Sequence, residues 1–167
     1  MKLKSALLSA VLVTALPCAF AEDIATSVPL ISGPAGFSSA GFDVTHALEG
    51  AFTDTFSFTP SVPLSLVDAS LVTNGFNNTQ NIDFTSATLN GTPLTLSPSG
   101  TFETGSLSPT ALSGNLVLTV VGNAGSNASY AGTLNVSPVP EPETYGMLLG
   151  GLAVLGLISR RRKQGSS

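Results

Sequence analysis

The stretch Gly50–Thr59, GAFTDTFSFT, decides the class of fold. Its period is two, so Phe52, Asp54, Phe56 and Phe58 share one face and Thr53, Thr55, Ser57 and Thr59 the other. This is a β-strand with an aromatic core face and a hydroxyl outer face. Asp54 then sits among phenylalanines, and no Lys or Arg occurs between Glu22 and Ser159 to pair with it. An ionised carboxylate in such a place needs backbone N–H donors, hydroxyls or a metal, or it keeps its proton. The expectation is a hydrogen-bonded Asp near a sheet edge or loop crossing, with metal ligation as the alternative.

Outward from this strand, short apolar alternations are broken by Gly, Pro and Asn in a segment rich in Thr and Ser. That pattern predicts an all-β domain over residues 22–137, a single antiparallel β-sandwich or jelly-roll-like unit. An opening strand is expected near Ser27–Ile31, then a turn at Gly33-Pro34. Gly36–Gly50 reads as a loop or one short helical turn around His46. Pro60–Pro63 separates the first clear strand from a second at Leu64–Thr73, and Asn74-Gly75 signals a turn from which Phe76–Thr79 returns. Asn81–Leu89 is a third strand. Asn90-Gly91 closes a hairpin of Ser86–Leu89 with Thr92–Leu96. Further strands are expected at Thr101–Glu103, Asn115–Val121 and Ser129–Val136, before a Pro-rich linker, Ser137–Pro142.

The ends differ in kind from this middle. Lys2 and Lys4, the apolar run Ala6–Leu16 and the small-x-small Ala19-Phe20-Ala21 make residues 1–21 a secretory leader, read by the Sec translocon and cut after Ala21. The cut removes Cys18, the chain's one cysteine, so no disulfide can form in the oxidising compartment beyond. The six basic residues are Lys2, Lys4, Arg160, Arg161, Arg162 and Lys163, while all ten acids lie between the ends. Such a polyanion does not bind nucleic acid by neutralising phosphates, and divalent cations are its natural counter-ions.

The tail has three ordered parts. Prolines 138, 140 and 142 hold an extended acidic segment around Pro140-Glu141-Pro142. Tyr145–Ser159 is an uncharged apolar helix, shorter than the roughly 20 residues of a full membrane span. Arg160, Arg161 and Arg162 form a cation block that stays on the cytoplasmic side as a transfer stop. Residues 164–167 read as a disordered end.

This order resembles the PEP-CTERM sorting signal of Gram-negative bacteria that make exopolysaccharide, over residues 138–163. The resemblance implies a transmembrane helix as an inner-membrane intermediate, processing by exosortase (a membrane-embedded cysteine transpeptidase acting near the PEP motif), and release to the cell surface or extracellular matrix. Phe52, Asp54 and Phe56 also fit the Phe-x-Asp-x-Phe signature of one PEP-CTERM group, and Gly41–Thr45 is similar to its lead-in. That match implies placement in the group and no reaction.

For chemistry the sequence offers little. His46 is the one histidine, and a triad with Asp43 lacks a nucleophile elbow. Asp43, Glu49, Asp54 and Glu103 could supply paired carboxylates for glycoside hydrolysis, but nothing in the sequence fixes their separation. Asp43, Asp54, Asn74, Asn77, Asn78, Asn81 and Asp83 are hard oxygen donors of the kind Ca²⁺ takes, although their spacing matches no EF-hand and they also read as turn residues. The expectation is a non-enzymatic surface or matrix protein without cofactor, structural or adhesive in exopolysaccharide and biofilm. A Ca²⁺- or glycan-binding module using Asp54 and Asp43 is the alternative.

Overall fold

The structure is a computed structural model that describes residues 21–73, 75, 77, 79–139 and 146–155. Among the described residues nine strands follow one another: β1 (Ala25–Pro29), β2 (Ile31–Ser32), β3 (Ser38–His46), β4 (Gly50–Thr73), β5 (Ile82–Leu89), β6 (Thr92–Pro93), β7 (Thr95–Leu96), β8 (Thr104–Ala124) and β9 (Ala128–Pro138). They form one sheet in the order β2-β3-β9-β4-β8-β5-β6, with β1 added to β4 and β7 to β8. Every pairing is antiparallel except β1 with β4.

The two long strands explain how one sheet encloses a core. Gly50–Phe58 of β4 pairs with the Leu116–Ala124 limb of β8, and Ser65–Val72 pairs with Thr104–Leu112. Register shifts between Phe58 and Val62, and again before Ser65, mark a corner where both strands bend. Pro60 and Pro63 sit at that corner, where a missing N–H is least costly. One limb of β4 carries β1 and the other carries β9. The limbs then face each other: the Phe42 and Phe56 ring centroids are 4.3 Å apart, and those of Phe84 and Tyr130 are 5.4 Å apart. The result is a sandwich-like all-β domain.

Several expectations need correction. Pro60–Pro63 does not end a strand; it bends one. Gly36–Gly50 holds β3 in place of a loop or helical turn, with Ala40, Phe42, Val44 and His46 buried at period two and the residues between them exposed. Thr101–Glu103 is a bend, and β8 starts at Thr104. The first limb of β8, TGSLSPTALSG, has few apolar residues and is held in the sheet by its ladder to β4. The Asn90-Gly91 turn is as expected, with φ of 48° and 80°, the left-handed pair a two-residue hairpin demands. Asn90 fastens it further, accepting from Val117 N–H at 2.7 Å and donating to the Asn115 carbonyl at 3.0 Å.

Of the expected 145–159 helix, residues 146–155 are described and helical. Ten residues rise about 15 Å, half of a bilayer core. Among the described residues no helix is long and apolar enough to cross a membrane. The leader over 1–20, Asn74, Phe76, Asn78, the motif Pro140-Glu141-Pro142, the Arg160–Arg162 block and residues 164–167 lie outside the described residues.

Candidate functional site

The side chains with most chemical potential meet inside the sandwich. Asp54 lies on the inner face of β4 with no exposed surface, and His46, the last residue of β3, is 2 % exposed. Tyr130 reaches them from β9, at the same end of the fold, because β9 pairs with the whole of β3, and Tyr130 lies opposite Val44. Asp54 Oδ2 accepts the Tyr130 hydroxyl at 2.5 Å and lies 3.0 Å from His46 Nε2. Its Oδ1 accepts the Ile24 backbone N–H at 2.9 Å. Burial, with the Asp54 carboxyl beside it, pushes the Tyr130 hydroxyl far above the ordinary phenol range. It therefore keeps its proton and donates. The His46 Nδ1 atom on the far side of the ring is buried without a hydrogen-bond partner. The imidazole stacks on Phe52 with centroids 4.2 Å apart.

This arrangement fastens the front of the domain. Asp54 holds Ile24, the Ile24 carbonyl accepts from Thr55 N–H at 2.7 Å, and Asp23 Oδ1 accepts from Thr53 N–H at 2.7 Å. Parallel pairing of Ala25–Pro29 with Thr55–Thr59 follows directly. Phe52 and Phe56, on either side of Asp54, are 2 % and 0 % exposed. The Phe-x-Asp-x-Phe stretch is thus two core anchors around one carboxylate that receives donors from β3, from β9 and from the segment before β1.

The expected hydroxyl and backbone donors around Asp54 are present, and the backbone donor comes from the segment that crosses onto β4 just before its pairing with β1 begins at Thr55, although the carboxyl itself is fully buried. The sequence places His46 in a loop or helical turn and offers Asp43 as its partner; the structure places it at the end of β3 with Asp54 as the partner. Tyr130 is not among the sequence candidates, although its signal is legible: it shares inward parity with Gly132, Leu134 and Val136 in β9, and a buried phenol needs a partner. The other candidates do not join the network. Asp43 lies on the outer face of β3 and Glu49 in the exposed β3–β4 connection.

Glu103 forms a second, separate centre. It is 1 % exposed, and its carboxyl accepts N–H from Phe84 at 2.9 Å and Gly100 at 3.0 Å. Thr73 and Glu103 bond reciprocally, Thr73 N–H to the Glu103 carbonyl at 2.9 Å and Glu103 N–H to Thr73 Oγ1 at 2.7 Å. Burial raises the Glu103 pKa above its usual 4.5; the two backbone donors oppose this and the neighbouring Asp83 carboxyl adds to it. Asp83 is itself bonded by Asn81 Nδ2 at 3.1 Å. Among the described residues no group of three or more His, Cys, Asp or Glu side chains is arranged to hold a metal ion.

The chain is therefore an all-β domain with an internally bonded polar centre, followed by an apolar helix. The family described as the PEP-CTERM protein-sorting motif matches residues 138–163, so the chain carries that sorting signal at its C-terminal end. The motif implies exosortase as processing partner and export through a membrane-anchored intermediate. Comparison with the curated proteins and with the solved structures found no match.

Proposed function

We propose that this is an exosortase-sorted cell-surface or extracellular-matrix protein, non-enzymatic and without cofactor, whose β domain is a structural or adhesive unit in exopolysaccharide and biofilm. The observation that carries this reading is the sorting motif over residues 138–163. The chemistry of the core supports the rest. His46 and Asp54 converge, yet both are sealed from solvent, and both Asp54 oxygens and His46 Nε2 are spent on holding strands together. The outer faces are paved instead with hydroxyls, as in the row Thr133–Ser70–Ser106–Thr95 across four strands. We place the chain in the Phe-x-Asp-x-Phe group on Phe52, Asp54 and Phe56.

Intact mass of the exported protein, from cells with and without exosortase, tests the proposal. Loss of the tail in the first case alone supports it, and an identical full-length mass in both refutes it. The alternative, a Ca²⁺- or glycan-binding module, draws on the exposed Asp43 and on acidic residues without cationic partners. Asp54 supports it poorly, since both its oxygens already accept donors. Thermal melting with added Ca²⁺ separates the two: an unmoved midpoint is expected, and a midpoint rising with Ca²⁺ would favour the module.

A further inference from the structure

The exposed large apolar side chains of the β domain are distributed unevenly. Ile31 (68 %), Phe37 (51 %), Leu64 (60 %), Leu66 (40 %) and Val139 (37 %) gather where β9 ends and the sorting tail departs. Register fixes this. Leu66 pairs with Ser137, and Ser38, one step past Phe37, pairs with Val136, so Phe37 and Leu66 flank Ser137 on the outer face. One step further out along β4 and β9 come Leu64 and Val139. Ile31 pairs with Ser39 at the edge, and together with Phe37, Val136 and the Asp68–Asn135 pair it lines a shallow groove of about 370 Å³. A cluster of exposed large apolar side chains rimmed by polar residues marks an interaction surface.

We propose that this patch seats the β domain on the lipid bilayer while the tail is still anchored, so that the domain lies against the membrane and is not merely tethered above it. The proposal rests on the membrane-anchored intermediate read above. Val139 and residue 146, the first described residue of the apolar helix, are seven residues apart, a reach of at most roughly 25 Å. The patch surrounding that exit therefore stays within reach of the surface in which the helix is held. Charge favours apolar insertion over electrostatic attraction: the domain has no Lys or Arg to attract anionic headgroups. The one carboxylate in the groove, Asp68, is bonded by Asn135 Nδ2 at 3.0 Å. Seating should accordingly be insensitive to salt and occur on zwitterionic lipid.

The test uses the exported, unprocessed chain from cells lacking exosortase, in a Cys18→Ser background, reconstituted into phosphatidylcholine vesicles. A polarity-sensitive fluorophore is placed in turn at F37C, at L48C (exposed at the opposite end of the domain) and at M147C in the tail. Blue-shifted emission and quenching by lipid-borne quenchers are expected at positions 37 and 147 and not at 48. Adding Ile31→Ser and Leu66→Ser, both at exposed sites, should abolish the shift at 37 while leaving that at 147. A probe at 37 that reads water while 147 reads lipid overturns the seating proposal and leaves the sorting reading intact. Water at both positions overturns both. A shift at 37 only when exosortase is co-reconstituted assigns the patch to a protein partner and overturns the lipid proposal.

Discussion

Tyr130→Phe removes one oxygen and keeps the ring in place among Phe52, Phe56 and Phe84, whose centroids lie 6.0, 6.4 and 5.4 Å away. Packing should survive, so the change isolates the hydroxyl. That hydroxyl supplies one of three donors to a fully buried carboxyl in a domain with no Lys or Arg. A hydrogen bond to such a group is worth about 1.5–3 kcal/mol. His46 and Ile24 remain to hold Asp54, so the loss should stay within that range and the domain should fold. Against typical domain stabilities of about 5–15 kcal/mol the effect is readily measured. Urea unfolding of the processed protein should show a lower midpoint at unchanged slope, and thermal melting should fall by roughly 6–12 °C. In an Asp54→Asn background the same substitution should cost at least about 1 kcal/mol less, because the side-chain amide no longer needs that donor. A loss under about 0.5 kcal/mol in the native background would refute the claim that the Asp54 network holds the sandwich closed.

Two further outcomes follow from other parts of the fold. Glu103 has a raised native pKa, so the folded chain binds its proton more tightly than the unfolded chain does; its stabilising contribution is full below about pH 4 and fades as pH rises through the raised value. Asp83→Asn removes a like charge, so it should raise the urea midpoint at pH 7 relative to the parent and leave it unchanged near pH 3; an equal shift at both pH values would contradict this. Gly122→Ala would place a Cβ 2.6 Å from the Asp83 carbonyl and 2.9 Å from the Phe52 ring, at a cost of about 1–3 kcal/mol. Gly41→Ala meets nothing within 4 Å and should change stability by less than about 0.5 kcal/mol, as denaturation of both variants would show.

The sequence makes plain whatever depends on a local period. Phe52–Phe58 announces its strand, Asn90-Gly91 announces its turn, and the order of proline-rich segment, apolar helix and arginines announces the tail. Features set by pairing across the chain are hidden. Nothing local reveals that Thr104–Gly114 is strand, because Ser, Thr and Gly carry little burial signal and the limb is held by its ladder to β4. Pro60 and Pro63 read as a break because a proline's missing N–H looks the same at a strand end and at a bend. For Asp54 the sequence states a need, donors in an apolar setting, without naming who meets it. Ile24, His46 and Tyr130 lie 30, 8 and 76 residues away, and only the folded sheet brings them together.

The position of β9 has a mechanical consequence. The strand that leads into the tail is flanked by β3 on one side and β4 on the other along most of its length. Tension arriving through the C-terminus pulls along this strand, so both ladders resist in shear and cannot be unzipped one bond at a time. A strand at the rim would peel under the same load. A protein attached to its cell through that end therefore meets the tug of flow or a neighbour with a strand braced on both sides.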